Sequence, residues 1–409
     1  MIRAASLVAV FGLLAPSAMA DGFRVRTAFG VGASWADSTS LDAGLGFGER
    51  QSVSGSARVM WDKRFGGFHV EVHSLLAFSQ GDDVAFSNAL APFAPPVLPT
   101  TLFDMTSTWQ ADADTTLIHR IDRLSVSYTT EHLVLKAGRQ AITWGSGLVF
   151  HPSDIVAPFA PNAIDTSYKP GVDMFYAQYL FDTGADIQAI AVPRPVVAGG
   201  APELAASTIA LRGQFQIGDL DASAMVAHDR GDMVASVSVS GALGGASWNA
   251  EYIGWRLESG AYHPSYLLNV TNFGTIGPVN ISYFGEYFHN GFGVTPGTAL
   301  DALPASLSKR MATGQVFLTG RDYLALGAMV QVSPDVSISP NAIFNLGDGS
   351  ALIGVNVNYT LGDNTNLVFN YSQPIGADGS GFGGLETTSG SGIFVGPSKT
   401  ASLQLVHFF

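Results

Sequence analysis

The sequence predicts an all-β chain, folded as a transmembrane antiparallel up-and-down β-barrel of about 18 strands. Three observations carry that prediction. Of 409 residues, 47% are hydrophobic and only 13% charged, with 47 Gly and a positive mean hydropathy, yet the apolar residues recur in short alternating bursts. Those bursts have a period of two, one oily and one wet face, over strands long enough to cross a bilayer when tilted. The connections between them are short on one side and long on the other, the asymmetry of a membrane barrel.

The only long, nearly uninterrupted apolar run lies within Ile2 to Ala20. Arg3 precedes it, Ser6 to Leu14 form its apolar centre, and Ala18-Met19-Ala20 is a small-x-small cleavage site. This is the pattern of a secretory signal peptide, so residues 1–20 are assigned to a leader and 21–409 to the barrel. No later stretch reaches the roughly 20 apolar residues that a membrane-spanning helix needs.

Segment 350–360 shows the strand period: Ala351, Ile353, Val355, Val357 and Tyr359 share one face, and Gly354, Asn356, Asn358 and Thr360 the other. Aromatics sit near strand ends on the apolar face (Trp35, Trp61, Phe78, Tyr128, Trp248, Tyr359, Tyr371), where an interfacial girdle belongs. In order, the predicted strands are 23–35, 50–62, 67–79, 116–129, 132–144, 171–181, 185–193, 205–217, 219–229, 232–241, 244–257, 262–272, 278–288, 322–332, 335–345, 350–360, 364–372 and 399–409. Segments 185–193 and 262–272 alternate most weakly, which leaves 16 strands open. With both chain ends on one side, every connection there is short and most carry Gly, Asp or Pro. The other side receives 36–49, 80–115, 145–170, 194–204, 289–321 and 373–398.

The chain closes on KTASLQLVHFF, in which Ala401, Leu403, Leu405, His407 and Phe409 alternate to a terminal aromatic. This resembles the last strand of Gram-negative outer-membrane proteins. The resemblance implies that Phe409 is an assembly signal read by the barrel-assembly machinery, with His407 at a place where an aromatic is more usual. Residues 136–173, with Gly138-Arg139-Gln140, Trp144-Gly145 and a Pro-rich loop, look like porin-type and alginate-export-like barrels. That resemblance covers under a tenth of the chain and implies an outer-membrane channel without naming its substrate. It places the protein in the outer membrane of a Gram-negative bacterium, among lipid and lipopolysaccharide. No strand declares a subunit contact, so a homo-oligomer is left open.

Eighteen strands leave an aqueous interior that eight would fill. Strand phase puts Arg24, Arg26, Arg58, His69, Glu71, His73, Arg212, Glu251 and Glu286 on the lumenal face as candidate selectivity residues. The sorting follows from energy, since Arg or Lys on the lipid face at mid-membrane costs about 2–4 kcal/mol. The arginines favour anionic solutes if they act as a strip; alternatively, these charges only pair with one another and solvate the wall. Arg139 does not fit the phase, and a bulge or the strand's upper rim must keep it out of lipid.

Loops 80–115 and 145–170 are too apolar for freely solvated tips. Either they fold inward as a constriction, with Phe86, Phe93, Phe103, Phe150 and Phe159 at its edge, or they capture an apolar substrate. Loop 289–321 holds a short helix near Ala305 to Thr313, whose Lys309 and Arg310 face solvent or lipopolysaccharide phosphate. Loop 373–398 is rich in Gly and Ser.

The net charge of −13 disfavours nucleic acid, and the absence of Cys removes disulfides, thiolate metal sites and a Cys nucleophile. Gly379 to Gly384 match GxGxxG but lack the strand–turn–helix setting of a nucleotide site. His69 and His73, four apart on one strand, lie about 13 Å from each other, too far to chelate one metal. No nucleophile, base and orienting group can be assembled, so the expectation is no enzyme, no cofactor and no metal. The expected activity is passive diffusion of small hydrophilic solutes, anions favoured, through a loop-constricted lumen. The alternatives are a transporter of hydrophobic substrates and a structural barrel with a blocked lumen.

Overall fold

A computed structural model describes residues 22–93, 100–161 and 168–409, with the Phe93 side chain left out. The assigned leader and Phe93's ring lie outside the described residues.

Eighteen antiparallel strands form one closed ring. They are β1 (Phe23–Trp35), β2 (Glu49–Phe65), β3 (Phe68–Gly81), β4 (Thr115–Thr129), β5 (Leu133–Gln140), β6 (Val172–Leu180), β7 (Asp186–Val192), β8 (Thr208–Ile217) and β9 (Leu220–Asp229). The second half comprises β10 (Asp232–Leu243), β11 (Ala246–Arg256), β12 (Tyr262–Ile276), β13 (Val279–His289), β14 (Asp322–Ser333), β15 (Val336–Asn345), β16 (Ala351–Thr360), β17 (Thr365–Ile375) and β18 (Lys399–Phe408). Each strand pairs with its sequence neighbours, and β1 pairs with β18 from Arg26↔Phe408 to Trp35↔Lys399. The two weakly alternating segments are the strands β7 and β12, so the count is eighteen and not sixteen.

The strand faces segregate by chemistry. On β8, Ile209, Leu211 and Phe215 are exposed on the outside, while Thr208 and Ala210 between them are buried. Large apolar side chains are similarly exposed on β1 (Phe29, Val31), β12 (Tyr266, Leu268, Val270) and β18 (Leu403, Leu405). In water such a surface would aggregate; against lipid it is the stable arrangement.

Two irregularities shape the wall beside the long loops. The β3–β4 ladder shifts register after His73, leaving Asp122 as the extra residue, so Asp122 and Arg123 are both buried. On β5, Gly138 has φ +115°, and Arg139 and Gln140 are likewise both buried. A Cβ at Gly138 would meet the Leu124 carbonyl oxygen at 2.2 Å, so the turn of the chain there requires glycine. This is what keeps Arg139 out of lipid.

The strand predicted over 132–144 therefore stops at Gln140, and the chain turns inward. Above that point Thr106–Ala111 pairs with β4 at Thr116 to Arg120, completing the wall that β5 vacates. Loop 82–114 also contains the helix α1 (Asp82–Leu90), which has no apolar period and was not foreseen. The expected helix in the 290–321 loop is α2 (Ala305–Ala312).

Candidate functional site

Residues 141–161 leave β5 and fold into the barrel as a strap across the lumen, and residues 168–171 lead into β6. Gly147 permits its tightest turn: a Cβ there would lie 1.7 Å from the Phe150 carbonyl oxygen. Two carboxylates on the far wall hold the turn. Glu286 on β13 is fully buried; its oxygens accept the backbone N–H of Leu148 (2.6 Å), Val149 (2.9 Å) and Phe150 (2.7 Å), and the Asn269 side-chain amide (3.0 Å). Glu251 on β11 accepts the Ser146 N–H (3.2 Å) and hydroxyl (2.8 Å), and the Ser153 N–H (2.9 Å). Hydrogen bonds from backbone donors to an ionised acceptor are among the stronger kind.

The two ends of the strap are clipped together. Lys169 forms a buried ion pair with Asp154, and its Nζ also donates to the Ile142 carbonyl (2.5 Å) and the Thr143 hydroxyl (3.1 Å). Burial holds the Lys169 ammonium below its ordinary range and pushes the Asp154 carboxyl above its own. His151 is driven down by burial and, second, by the nearby Lys169 charge.

Apolar contacts fill the remainder. Trp144, Ile155 and Val156 pack with Met174, Ile253, Trp255, Phe292 and Leu307 in one buried cluster. Phe150 enters a second, stacking on Phe288 at 4.9 Å and lying 5.9 Å from Tyr323. Phe159 is half-buried beside them. Arg310 of α2, expected at the surface, is buried: it pairs with Asp232 at 2.7 Å and lies 3.9 and 4.5 Å from the Phe292 and Trp255 ring centres. Lys309 donates to the Arg230 carbonyl at 2.8 Å. This helix lids the strap.

The cationic wall occupies β1, β2, β4 and β5. Tyr168, from the returning limb, lies 4.4 Å from the Arg58 guanidinium and 5.6 Å from that of Arg26. Arg58 pairs with Asp122, Arg139 with Asp173 (2.8 Å), Lys136 with Glu71 (2.8 Å) and Arg24 with Asp62 (2.5 Å). Asp173 also accepts the N–H of Leu102 (2.9 Å) and Phe103 (3.0 Å), so that loop is held by its backbone while the Phe103 ring is 58% exposed. Arg212 makes no direct hydrogen bond or ion pair among the described residues, although Asp186 and Glu251 attract its charge from a distance.

Two cavities flank the strap. One, of about 520 Å³, is lined by Lys136, Gln140, Trp144, Tyr176, Gln188 and Arg212. The other, of about 1440 Å³, lies over Leu148 and Val149, with Phe86 and the lumenal faces of β13 to β18 around it. Phe86 is fixed there by Arg50, 4.4 Å from its ring, and by Phe47 at 5.6 Å.

Sequence phase thus placed Arg26, Arg58, His73, Glu251 and Glu286 inward, where the structure buries them. It did not reveal that Glu251 and Glu286 hold a loop instead of facing open water, nor that Asp122, Arg123, Tyr168 and Lys169 belong to the site. The adjoining Asp122-Arg123 pair, out of phase in an otherwise alternating strand, was the available signal for the bulge. Phe409 donates its N–H to the Val25 carbonyl at 2.9 Å, at the seam of the ring.

Comparison with solved structures agrees with this architecture. The barrel is similar to Wzi of Escherichia coli, a carbohydrate-binding outer-membrane β-barrel involved in group 1 capsule assembly (TM-score 0.54, 12% identity, covering 98% of this chain and 87% of that one). It is similar to OccK5 (OpdH) of Pseudomonas aeruginosa (TM-score 0.54, 9% identity, 95% and 98%) and to OpdK of the same organism solved with vanillate (0.51, 10%, 96% and 100%). The chain has a porin-type fold. No protein-family model and no curated protein matches its sequence.

Proposed function

We propose that the protein is an outer-membrane channel of a Gram-negative bacterium, passing small hydrophilic solutes by diffusion. The observation that carries this reading is the strap, held by Glu251 and Glu286 between two cavities inside a closed barrel. The strap narrows the interior without filling it, leaving a cavity on either side. The porin-type fold, and the structure of OpdK with vanillate, support a small-solute channel. No chemical step is assigned.

Anion preference in this proposal falls chiefly to Arg212, whose charge no acid on the described chain cancels by contact, and secondarily to Arg24, Arg26 and Arg58. Phe86, Phe150 and Phe159 bound the constriction. The surrounding lipid, lipopolysaccharide and the assembly machinery are its proposed partners.

Single-channel recording in planar bilayers tests the reading. Conductance with an anion-favouring reversal potential is expected, and Arg212→Ala should move that potential toward zero more than Arg24→Ala. Absence of current in the wild type and also after deletion of residues 84–108 would defeat the proposal.

A second reading has its own observation. The larger cavity is bordered by Phe86, Leu90, Leu148, Val149, Phe284 and Ile343, a predominantly oily set that suits a hydrophobic or amphipathic solute. Lipid or hydrocarbon co-purifying with the protein, released by Leu148→Asp, would favour it.

A further inference from the structure

Below the strap, near the β2–β3 turn, four side chains converge on the lumenal wall: Asp62 on β2, and His69, Glu71 and His73 on β3. The spacing of His69 and His73 along the strand keeps their backbones apart, yet their Nε2 atoms lie 4.0 and 3.4 Å from the same Asp62 Oδ1. Glu71 Oε1 is 3.6 Å from His73 Nε2. One ligand atom from each of Asp62, Glu71 and His73 can be chosen so that all lie within 4.8 Å of one another.

Each carboxylate divides its oxygens. Asp62 Oδ2 takes Arg24 at 2.5 Å. Glu71 Oε2 takes Lys136 at 2.8 Å and the Ser125 hydroxyl at 3.2 Å. The other oxygen of each is turned toward His73. Outer partners of this kind orient the ligands of a metal.

His73 is 6% exposed, and its Nδ1 is buried without a hydrogen-bond partner. Its Nε2 faces two carboxylate oxygens and, as a neutral donor, can serve only one well. The separations of 3.4 and 3.6 Å are close to the edge of a tetrahedron with ligand bonds of about 2.0–2.1 Å, roughly 3.3–3.4 Å. With the imidazole proton on Nδ1 instead, a cation at the shared point would take a lone pair from all three side chains at once. Imidazole with carboxylate is a donor set that zinc and its neighbours accept.

We infer that Asp62, Glu71 and His73, with His69 in reach as a fourth ligand, form a divalent transition-metal site on the channel wall. Occupancy would neutralise both carboxylates and leave the charges of Arg24 and Lys136 uncompensated beside the path, biasing it further toward anions. Binding stands without the channel reading; only the effect on current rests on it.

Protein stripped with chelator and folded in detergent would be titrated with Co²⁺. The visible absorption of a low-coordinate cobalt site should appear at one equivalent and be displaced by Zn²⁺. Asp62→Asn and His73→Ala, each verified as folded by heat-modifiable migration, should weaken binding at least about tenfold, and His69→Ala less. No absorption at millimolar Co²⁺, or unchanged binding in His73→Ala, overturns the site. In bilayers Zn²⁺ should shift the wild-type reversal potential toward anions and leave His73→Ala unmoved. An unaltered potential in a metal-binding, conducting wild type overturns the bias on permeation.

Discussion

The Glu286 carboxylate on β13 accepts the backbone N–H of Phe150 at 2.7 Å, a contact across 136 residues of sequence and across the width of the lumen. It makes a strand residue the anchor of a loop that begins on the opposite wall.

Glu286→Ala should release the strap while leaving the ring intact. Three N–H groups would lose their acceptor; for the buried one, that of Phe150, the loss is about 1–3 kcal/mol, and for the part-buried Leu148 and Val149 groups less. The expected result is higher single-channel conductance and new proteolytic cuts within 145–161, with wild-type heat-modifiable migration. Unchanged conductance would show that the strap does not limit flow.

Gly138→Ala places a Cβ against the Leu124 carbonyl at a φ that side chains avoid, a strain of order 1–3 kcal/mol. The substitution should lower the denaturant midpoint and loosen the Arg139–Asp173 pair. Asp173→Asn in the Gly138→Ala background should then cost less than in the wild type, as a double-mutant cycle would record.

Acid should open the strap. Burial and Lys169 depress the His151 pKa below its unfolded value of about 6.5. A group lowered in the folded state gives its stabilisation in full above the unfolded value and loses it as pH falls through the folded one. Conductance and protease sensitivity of the strap should therefore rise below about pH 6.5, and His151→Gln should flatten that rise.

Arg310→Ala strips the partner from the buried Asp232 carboxylate, a change in the class that costs about 3–5 kcal/mol. Arg310→Lys restores the charge but not the flat stacking on Phe292 and Trp255, so it should recover only part of the lost denaturant midpoint.

Phe409→Ala keeps the backbone hydrogen bond to Val25, because that bond uses no side chain. A drop in folded outer-membrane yield without a drop in refolded stability would assign the ring of Phe409 to recognition during assembly. Equal losses in both would assign it to the seam.

The wall of this protein was legible because its signals are local. Alternation in β16, turn residues between β16 and β17, and the terminal aromatic each announce themselves within about ten residues, and even the faint β7 and β12 lie where the alternation put them. The interior was legible only in outline. That loops 80–115 and 145–170 were too oily for water was visible, but the identity of their anchors was not. Glu286 binds backbone, and backbone donors look alike in any sequence. Arg310 reads as a solvated charge on a polar helix until Asp232, Phe292 and Trp255 are brought around it from three other segments. Arg139 did not fit the phase, and the reason stayed hidden because the flip resides in the φ of the preceding glycine, a residue that marks the spot without stating the angle.

The pairing of β1 with β18 has a consequence for biogenesis. The first strand to leave the ribosome must wait for the last, since no event confined to one stretch of chain can shut the hoop. Until then two bare edges stand open, each a template for foreign strands. A polypeptide cut short before Lys399 is thus not a narrower tube but an unzipped sheet, and its fate depends on whatever shields those margins in the meantime.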